Sequence, residues 1–140
     1  SGIPVMGHLG LTPQSINAFG GYRIQGRGKE NRELLISAAK GLEEAGVFAI
    51  VIECVPSATA EKMTAAVSVP TIGIGAGSSV DGQVLVINDL LNLDPSFKPR
   101  FVKHYANISK EITDALTHYV KDVREETFPA PEHEYEDASE

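Results

Sequence analysis

Residues 47–56 read Val-Phe-Ala-Ile-Val-Ile-Glu-Cys-Val-Pro, and this stretch decides the fold of the chain. Six apolar residues run without a break and then meet a carboxylate, Glu53, before Pro56 ends the element. An apolar run of this length after Gly46 is typical of a strand buried on both faces of a parallel sheet. Glu53 is therefore predicted at the carboxyl end of that strand, where α/β proteins bind ligands. A carboxylate among so much hydrocarbon needs a charge, a metal or a hydrogen-bonding ligand nearby.

The first 28 residues predict a short strand and a long connector. Ile3–Met6 is apolar and Gly7-His8-Leu9-Gly10 follows at once, which predicts a buried strand ending in a glycine-flanked histidine. The glycine-rich connector from Leu11 to Gly28 is longer than compact domains usually contain. Its length and composition favour an active-site lid or a binding loop.

Two helices are predicted around the central strand. Apolar residues at helical spacing predict a helix over 30–45, which Gly46 ends in a left-handed cap. After the strand, Ser57 or Thr59 is expected to cap a shorter helix that reaches about Val67.

The remaining pattern completes an α/β fold. Strands are predicted at 71–74 and 83–87, and helical spacing covers 101–123 with a break expected at Asn107 or Ser109. Strands that alternate with helices predict a parallel sheet with right-handed crossovers. Four strands in 140 residues form either a small open sheet or half of an eight-stranded (β/α) barrel, which needs about 250 residues.

The charge of the chain is unevenly distributed. The net charge is −7, yet seven acidic residues lie from Glu125 onward, and residues 1–124 carry 12 acidic and 12 basic side chains. We expect a folded part at 1–127 and an irregular, solvated acidic tail at 128–140. No basic stripe is interleaved with aromatic residues, which argues against nucleic-acid binding.

The composition is that of a soluble globular protein, with 42% hydrophobic and 22% charged residues. No apolar run approaches the roughly 20 residues that span a bilayer, so no transmembrane helix is expected. Ser1–Pro4 shows no signal peptide, and the single cysteine fits a reducing compartment. A cytoplasmic location is therefore expected.

Several further candidates have plain structural interpretations. Gly73–Gly77 lacks the phosphate-loop pattern and indicates backbone that needs positive φ or a close approach. Cys54 is predicted as a small apolar residue on the side of the strand opposite Glu53. Asp81 and Asp89 flank the predicted fourth strand and are expected to cap turns. The histidines of the carboxyl-terminal region are expected on the surface: His104, His118 and His133.

Seven segments follow one another in a family-like order and spacing. They are GHLGLTPQS at 7–15, GGYRIQGR at 20–27, FAIVIECVP at 48–56, IGIGAG at 72–77, DGQVLV at 81–86, KPRFVK at 98–103 and FPAPEH at 128–133. Together they resemble the ketopantoate hydroxymethyltransferase family, of the phosphoenolpyruvate/pyruvate barrel superfamily. The resemblance covers nearly the whole chain.

The resemblance implies a (β/α)8 barrel, of which this chain matches the carboxyl-terminal half, strands five to eight, with one or more carboxyl-terminal helices. It implies a magnesium-dependent enzyme that transfers a hydroxymethyl group from 5,10-methylenetetrahydrofolate to 3-methyl-2-oxobutanoate. The product, 2-dehydropantoate, leads to pantothenate and coenzyme A.

Site roles also follow from the resemblance. Glu53 matches the base and His8 matches a histidine that lies beside the bound oxo acid. In the connector, Tyr22 is a candidate to stack on the pterin, and Arg23 or Arg27 a candidate to attract the glutamyl carboxylates of folate. The proton beside the ketone is weakly acidic, so a positioned base of this kind also requires Lewis-acid stabilisation of the enolate by Mg²⁺.

The resemblance leaves the first half of the barrel unaccounted for. Family residues that bind magnesium and the oxo acid's carboxylate belong to that half, so no metal ligand is expected in this chain. We expect the amino-terminal half as a partner, in the same or a separate chain, and homo-oligomers of the whole. Two alternatives remain open: another metal-enolate lyase of the superfamily, and a non-catalytic half barrel that is active only with a complementary chain.

Overall fold

The computed structural model describes residues 2–15, 21 and 23–135. The chain divides into two compact units, Ser1–Leu85 and Val86–Glu140. The first unit contains the sheet and the second contains the long carboxyl-terminal helix.

The first unit contains four parallel strands. They are β1 (Met6–Gly10), β2 (Ala49–Glu53), β3 (Thr71–Ile74) and β4 (Gly82–Gln83), and they lie side by side in chain order. In the register of the sheet, Glu53 pairs with Gly10 on one side and with Ile74 on the other. The predicted parallel α/β sheet is confirmed, and β3 has the predicted bounds.

Helix α1 (Lys29–Glu44) connects β1 to β2. It ends at Glu44, and Gly46, whose φ is 90°, forms the predicted left-handed cap two residues further on. The N–H of Gly46 donates to the carbonyl of Glu43 at 2.9 Å and that of Val47 to the carbonyl of Leu42 at 3.3 Å. These two hydrogen bonds form a Schellman motif, which turns the chain directly into β2.

Helix α2 (Ser57–Thr64) connects β2 to β3, and its predicted cap is wrong. Pro56 occupies the N-cap position, and neither Ser57 nor Thr59 makes a side-chain cap bond. The fixed φ of proline suits a helix start, so the turn needs no capping hydroxyl. The Thr59 side chain is fully buried instead.

The core lies between one face of the sheet and the two helices. Ile50 and Ile52 are completely buried, and they pack with Ala39 of α1 and with Ala60 and Met63 of α2. Burial of one such isoleucine stabilises the fold by about 1.5–3 kcal/mol. Because side chains alternate along a strand, Val51 and Glu53 lie on the opposite face, where both are half-buried.

Two predicted strands differ from the observed ones. β1 begins at Met6 and not at Ile3, because its pairing starts opposite Ala49, the first residue of β2. Ile3 is 74% exposed, and His8 therefore lies inside the strand and not at its end. The strand predicted at 83–87 is observed only as β4, Gly82–Gln83, and a short helix, α3 (Ile87–Leu90), begins at the last residue of the predicted strand.

Asp81 anchors the start of β3. Its Oδ2 accepts from the backbone N–H of Thr71 at 2.8 Å and from the Thr71 hydroxyl at 2.9 Å. These hydrogen bonds lower the pKa of the Asp81 carboxyl, with the backbone bond contributing most. Asp81 thus has a structural contact, although its carboxylate bonds to the start of β3 and does not cap a turn as predicted.

The second unit is a helix preceded by irregular chain. Helix α4 covers Ile108–Arg124 with Asn107 at its N-cap, so the prediction of helix from residue 101 is wrong. The backbone N–H groups of Tyr105 and Ile108 bond instead to the carbonyls of Leu90 and Leu91. Several apolar side chains of α4 are exposed: Ile112, Leu116, Tyr119, Val120 and Val123. Among the described residues, no helix is long and apolar enough to cross a membrane.

Candidate active site

The two side chains singled out in the sequence are hydrogen-bonded to each other. His8 Nε2 lies 3.0 Å from Glu53 Oε2, and the side chains are 29% and 18% exposed. Since an ionised carboxylate only accepts, Nε2 donates in this pair. Within the described part of the chain, Glu53 Oε1 makes no hydrogen bond, so one carboxylate oxygen is available to a ligand.

Strand register explains why these side chains meet. His8 pairs with Val51 across the β1–β2 ladder, so His8 is on the same face of the sheet as Val51 and Glu53. Glu53 lies two residues further along this face, toward the carboxyl end. A long imidazole and a long carboxylate on adjacent strands bridge this diagonal. The pair thus lies on the face of the sheet opposite the one that packs against the helices.

The backbone around Glu53 is held from three directions. Its carbonyl accepts from the N–H of Leu11 at 2.8 Å, and the next N–H, that of Cys54, donates to Ile74 at 2.9 Å. The Cys54 carbonyl accepts from the N–H of Gln25 at 3.1 Å. Bonds from both ends of the connector and from β3 therefore fix the peptide units on both sides of Cys54, and through them the backbone of Glu53.

Gly10 makes the close approach on the β1 side possible. Its φ is +94°, and a Cβ built on it would lie 2.1 Å from the Glu53 carbonyl oxygen and 2.7 Å from a methyl of Val55. A backbone oxygen cannot move aside as a flexible side chain can. Only glycine fits here, next to Glu53.

Cys54 does not lie in the strand, so the prediction from strand alternation does not apply to it. β2 ends at Glu53, and Cys54 takes a left-handed conformation with φ of 50°. Burial raises the pKa of its thiol, and the neighbouring charge of Glu53 raises the pKa further. A non-glycine residue in this conformation is strained by about 1–3 kcal/mol and persists only where its surroundings determine it.

Among the described residues, no contact connects the predicted lid residues to His8 or Glu53. Arg23 and Arg27 are exposed, and neither side chain bonds to His8 or Glu53 in the described residues. The carbonyl of Arg23 accepts from the Gln25 side chain, and that of Arg27 from Asn31. Arg27 also lines a cavity of about 240 Å³ against α1. Tyr22 lies outside the described residues.

The remaining candidates are placed as structural residues. Gly75 and Gly77 have φ of 64° and 83°, and a Cβ on Gly77 would lie 2.5 Å from the Cβ of Ser57, which confirms the backbone interpretation of this turn. Asp89 lies in α3, and its carbonyl accepts from the Nδ1 of His104 at 2.8 Å. The three predicted surface histidines are exposed: His104, His118 and His133.

The residues present do not fit a magnesium site. Within residues 2–15, 21 and 23–135, no three His, Cys, Asp or Glu side chains are arranged to hold a metal ion. Magnesium requires near-octahedral oxygen ligands, whereas Glu53 is paired with an imidazole. The chemistry that these residues support is proton transfer at Glu53.

Sequence reasoning missed a network behind the site. Thr59 and Arg32 hold the connector near Gln25, with the Thr59 hydroxyl donating to the carbonyl of Gly26 at 3.2 Å. The only signal in the sequence was a threonine at the third position of a helix, and that pattern more often indicates a cap than a buried tether.

The parallel sheet and the carboxylate–histidine pair, in which Glu53 ends β2, define an α/β protein with a candidate acid–base site. A model of the family described as ketopantoate hydroxymethyltransferase matches residues 1–131. The chain belongs to this family, as the seven segments indicated.

Relatives with the name 3-methyl-2-oxobutanoate hydroxymethyltransferase are similar along almost all of the chain. That of Enterococcus faecalis is 55% identical over 131 residues, covering 94% of this chain and 48% of the relative. That of Pseudothermotoga lettingae is 56% identical over 132 residues, with 94% and 50% covered. That of a Thermotoga species is 55% identical over 139 residues, with 99% and 52% covered. The chain thus spans about half the length of these curated relatives.

Proposed function

We propose that this chain is the carboxyl-terminal half of a (β/α)8 barrel that transfers a hydroxymethyl group from 5,10-methylenetetrahydrofolate to 3-methyl-2-oxobutanoate, giving 2-dehydropantoate. The observation that carries the proposal is the His8–Glu53 pair at 3.0 Å, which joins two adjacent parallel strands and has Glu53 at the carboxyl end of β2. Family membership and the names of the relatives support the substrate assignment.

Glu53 is the proposed base. It accepts the proton from C3 of the oxo acid, and C3 then bonds to the methylene carbon of the folate. Both carbon–nitrogen bonds of that methylene break, water supplies the hydroxyl group of the product, and the two folate nitrogens take up the C3 proton and one proton of the water. Its open oxygen, Oε1, is the accepting atom, while His8 holds Oε2 and keeps the carboxylate in one orientation. A base positioned in this way contributes about 10²–10⁴-fold to such a step.

His8 also has a second ring nitrogen. With Nε2 donating to Glu53, Nδ1 of a neutral imidazole is an acceptor, and protonation makes it a donor. We propose that His8 contacts the bound oxo acid as well as Glu53. Arg23 and Arg27 are retained as proposed contacts to the glutamyl carboxylates of folate, and Tyr22 as a proposed contact to its pterin.

We call these 140 residues together with an amino-terminal half the complete protein. The amino-terminal half is proposed to belong to the same chain or to a separate one. The amino-terminal half supplies the magnesium ligands and closes the barrel. The coverage of the relatives, about half, supports this proposal. We further propose that the complete protein is a cytoplasmic homo-oligomer, and the exposed apolar side chains of α4 are consistent with further contacts.

The test is turnover of 3-methyl-2-oxobutanoate by the complete protein with and without 5,10-methylenetetrahydrofolate. We expect 2-dehydropantoate to form only when the folate is present, and Glu53→Gln to abolish its formation. Cleavage of a 2-oxo acid precursor without folate would instead establish the lyase chemistry of the wider superfamily. These 140 residues alone are expected to be inactive.

A further inference from the structure

A buried hydroxyl lies outside the proposed site and connects three segments. Thr59, on α2, is completely buried. Its Oγ1 donates to the carbonyl of Gly26 at 3.2 Å and accepts from Arg32 Nε at 3.3 Å. The single hydroxyl proton goes to the carbonyl, since a carbonyl only accepts, and the guanidinium fills the acceptor side of the oxygen. Both functions of this hydroxyl are therefore in use.

The segment that Thr59 holds is attached to the turn after Glu53. Gln25, the neighbour of Gly26, donates its backbone N–H to the carbonyl of Cys54 at 3.1 Å. At the other end of the connector, Leu11 donates to the carbonyl of Glu53 at 2.8 Å. The connector that begins at Leu11 is thus fixed at both of its ends to two successive carbonyl groups, one of them that of the proposed base.

Side-chain packing reinforces the tether at Gly26. Val55 is 2% exposed and lies between the two glycines of the connector ends. One of its methyl groups is 2.7 Å from the Cβ position of Gly10 and the other is 3.6 Å from that of Gly26. Cys54, between Val55 and Glu53, is held in its left-handed conformation by these contacts and by its two backbone hydrogen bonds. A strained residue relaxes when such surroundings are loosened.

We propose that Thr59, oriented by Arg32, is a positioning residue for Glu53. Without the Thr59 hydroxyl, the buried carbonyl of Gly26 has no partner among the described residues, and its segment moves to find water. Gln25 then releases Cys54, the left-handed turn relaxes, and the Glu53 carboxylate shifts from its place beside His8. This inference rests on the proposed role of Glu53 as the base.

The experiment compares two threonines of the same helix in the complete protein. Thr59→Val removes the tether while keeping the side-chain shape, and Thr59→Ser keeps the hydroxyl. Thr64→Val is the matched control, because the Thr64 hydroxyl bonds to Thr71 at the start of β3 and not to the connector. The readouts are Tm and the kinetics of deuterium exchange from solvent into C3 of 3-methyl-2-oxobutanoate without folate.

We expect Thr59→Val to lower kcat for exchange by about ten- to a hundredfold with KM changed less than about twofold, as displacement of a catalytic group by an ångström does. Thr59→Ser is expected to restore most of kcat. Thr64→Val is expected to lower Tm to a similar extent and to leave kcat near that of the unmodified protein.

Equal exchange kinetics for Thr59→Val and Thr64→Val would overturn the proposal and leave Thr59 a residue of stability alone. If Thr59→Val does not fold, Arg32→Ala provides the test, because the side chain of Arg32 is partly exposed. Arg32→Ala is expected to lower kcat for exchange, and Arg32→Lys to lower kcat less. Unchanged kcat in Arg32→Ala would then overturn the proposal. Exchange that persists in Glu53→Gln would show instead that the proposed function has failed.

Discussion

At the scale of single residues, the candidate site consists of Glu53 and His8. The sequence predicts the position of Glu53, but it does not predict the hydrogen bond between the two side chains. The apolar run that ends in a charge places Glu53 at the end of a strand. The bond to His8 depends on the register between β1 and β2, which brings His8 opposite Val51. A shift by one residue would turn His8 to the other face. No local pattern in the sequence encodes that register.

Cys54 is a chemical probe of the charge on its neighbour. Burial raises the pKa of its thiol, and the charge of Glu53 raises the pKa further. We therefore expect alkylation by iodoacetamide to become fast only above the pH at which an ordinary cysteine reacts, because the thiolate is the nucleophile.

The Glu53→Gln variant is the matched comparison for this probe. Its pH–rate profile of alkylation should shift toward lower pH, because the charge that disfavours the thiolate is gone. The chain has a single cysteine, so the total rate reports on Cys54 alone. Identical profiles for the two proteins would show that Glu53 carries no charge close to the thiol.

At the scale of elements, sequence patterns predict those that are bounded by strong signals. β3 has its predicted bounds, and α1 is followed by its predicted glycine cap. The predictions fail where tertiary pairing sets the end of an element. β1 begins only where β2 offers a partner. In the predicted strand at 83–87, one further backbone hydrogen bond follows β4, from the N–H of Val84 to the carbonyl of Gly73, and the chain then becomes helical.

Two glycines of the first unit should respond oppositely to alanine. Gly10→Ala places a methyl 2.1 Å from the Glu53 carbonyl oxygen at positive φ, so we expect a loss of at least about 2 kcal/mol in the free energy of unfolding. Gly41→Ala lies in α1 with nothing within 4 Å, and is expected to stabilise by about 0.5–1 kcal/mol. Denaturant unfolding measures both. A tolerated alanine at position 10 would contradict the close approach of β1 to the Glu53 turn.

The hydrogen bonds between Asp81 and the start of β3 should make the stability of the folded chain depend on pH in the acid range. The pKa of the Asp81 carboxyl is lowered in the folded chain, so its stabilising effect is complete above its ordinary value of 3.8 and is lost as the pH falls through the lower, folded value. Asp81→Asn keeps an accepting oxygen but not the charge. We expect the unmodified chain to have the higher unfolding midpoint at pH 7 and the difference to disappear at pH below the folded pKa. A difference that does not change with pH would contradict this assignment.

At the scale of the whole molecule, the sheet of the first unit is covered by helices on one face only. One face of its parallel sheet packs against α1 and α2, and the other carries His8, Val51 and Glu53 without full burial. The order of strands and the side of the helices follow from the alternation of patterns in the sequence. The metal site does not follow from these residues, since the described part of the chain contains no cluster of metal ligands. This is the physical reason why the candidate site is only partly predictable from 140 residues.

Magnesium binding should therefore depend on the other half of the proposed barrel. In isothermal titration calorimetry with MgCl2, we expect no saturable binding to these 140 residues alone and saturable binding to the complete protein. Calcium chloride serves as a comparison that reveals nonspecific attraction to the acidic carboxyl-terminal residues. Saturable, magnesium-selective binding by the 140 residues alone would contradict the proposed division of the site.

The proposed function requires Glu53 to take the proton from C3 of the oxo acid. Exchange of that proton with deuterated solvent, followed by NMR in the complete protein without folate, isolates this step from transfer. Glu53→Gln is isosteric and still accepts a hydrogen bond from His8, so the fold is expected to be spared. We predict that the substitution slows C3 exchange by at least about a hundredfold. Undiminished exchange in a folded Glu53→Gln protein would contradict the role of Glu53 as the base.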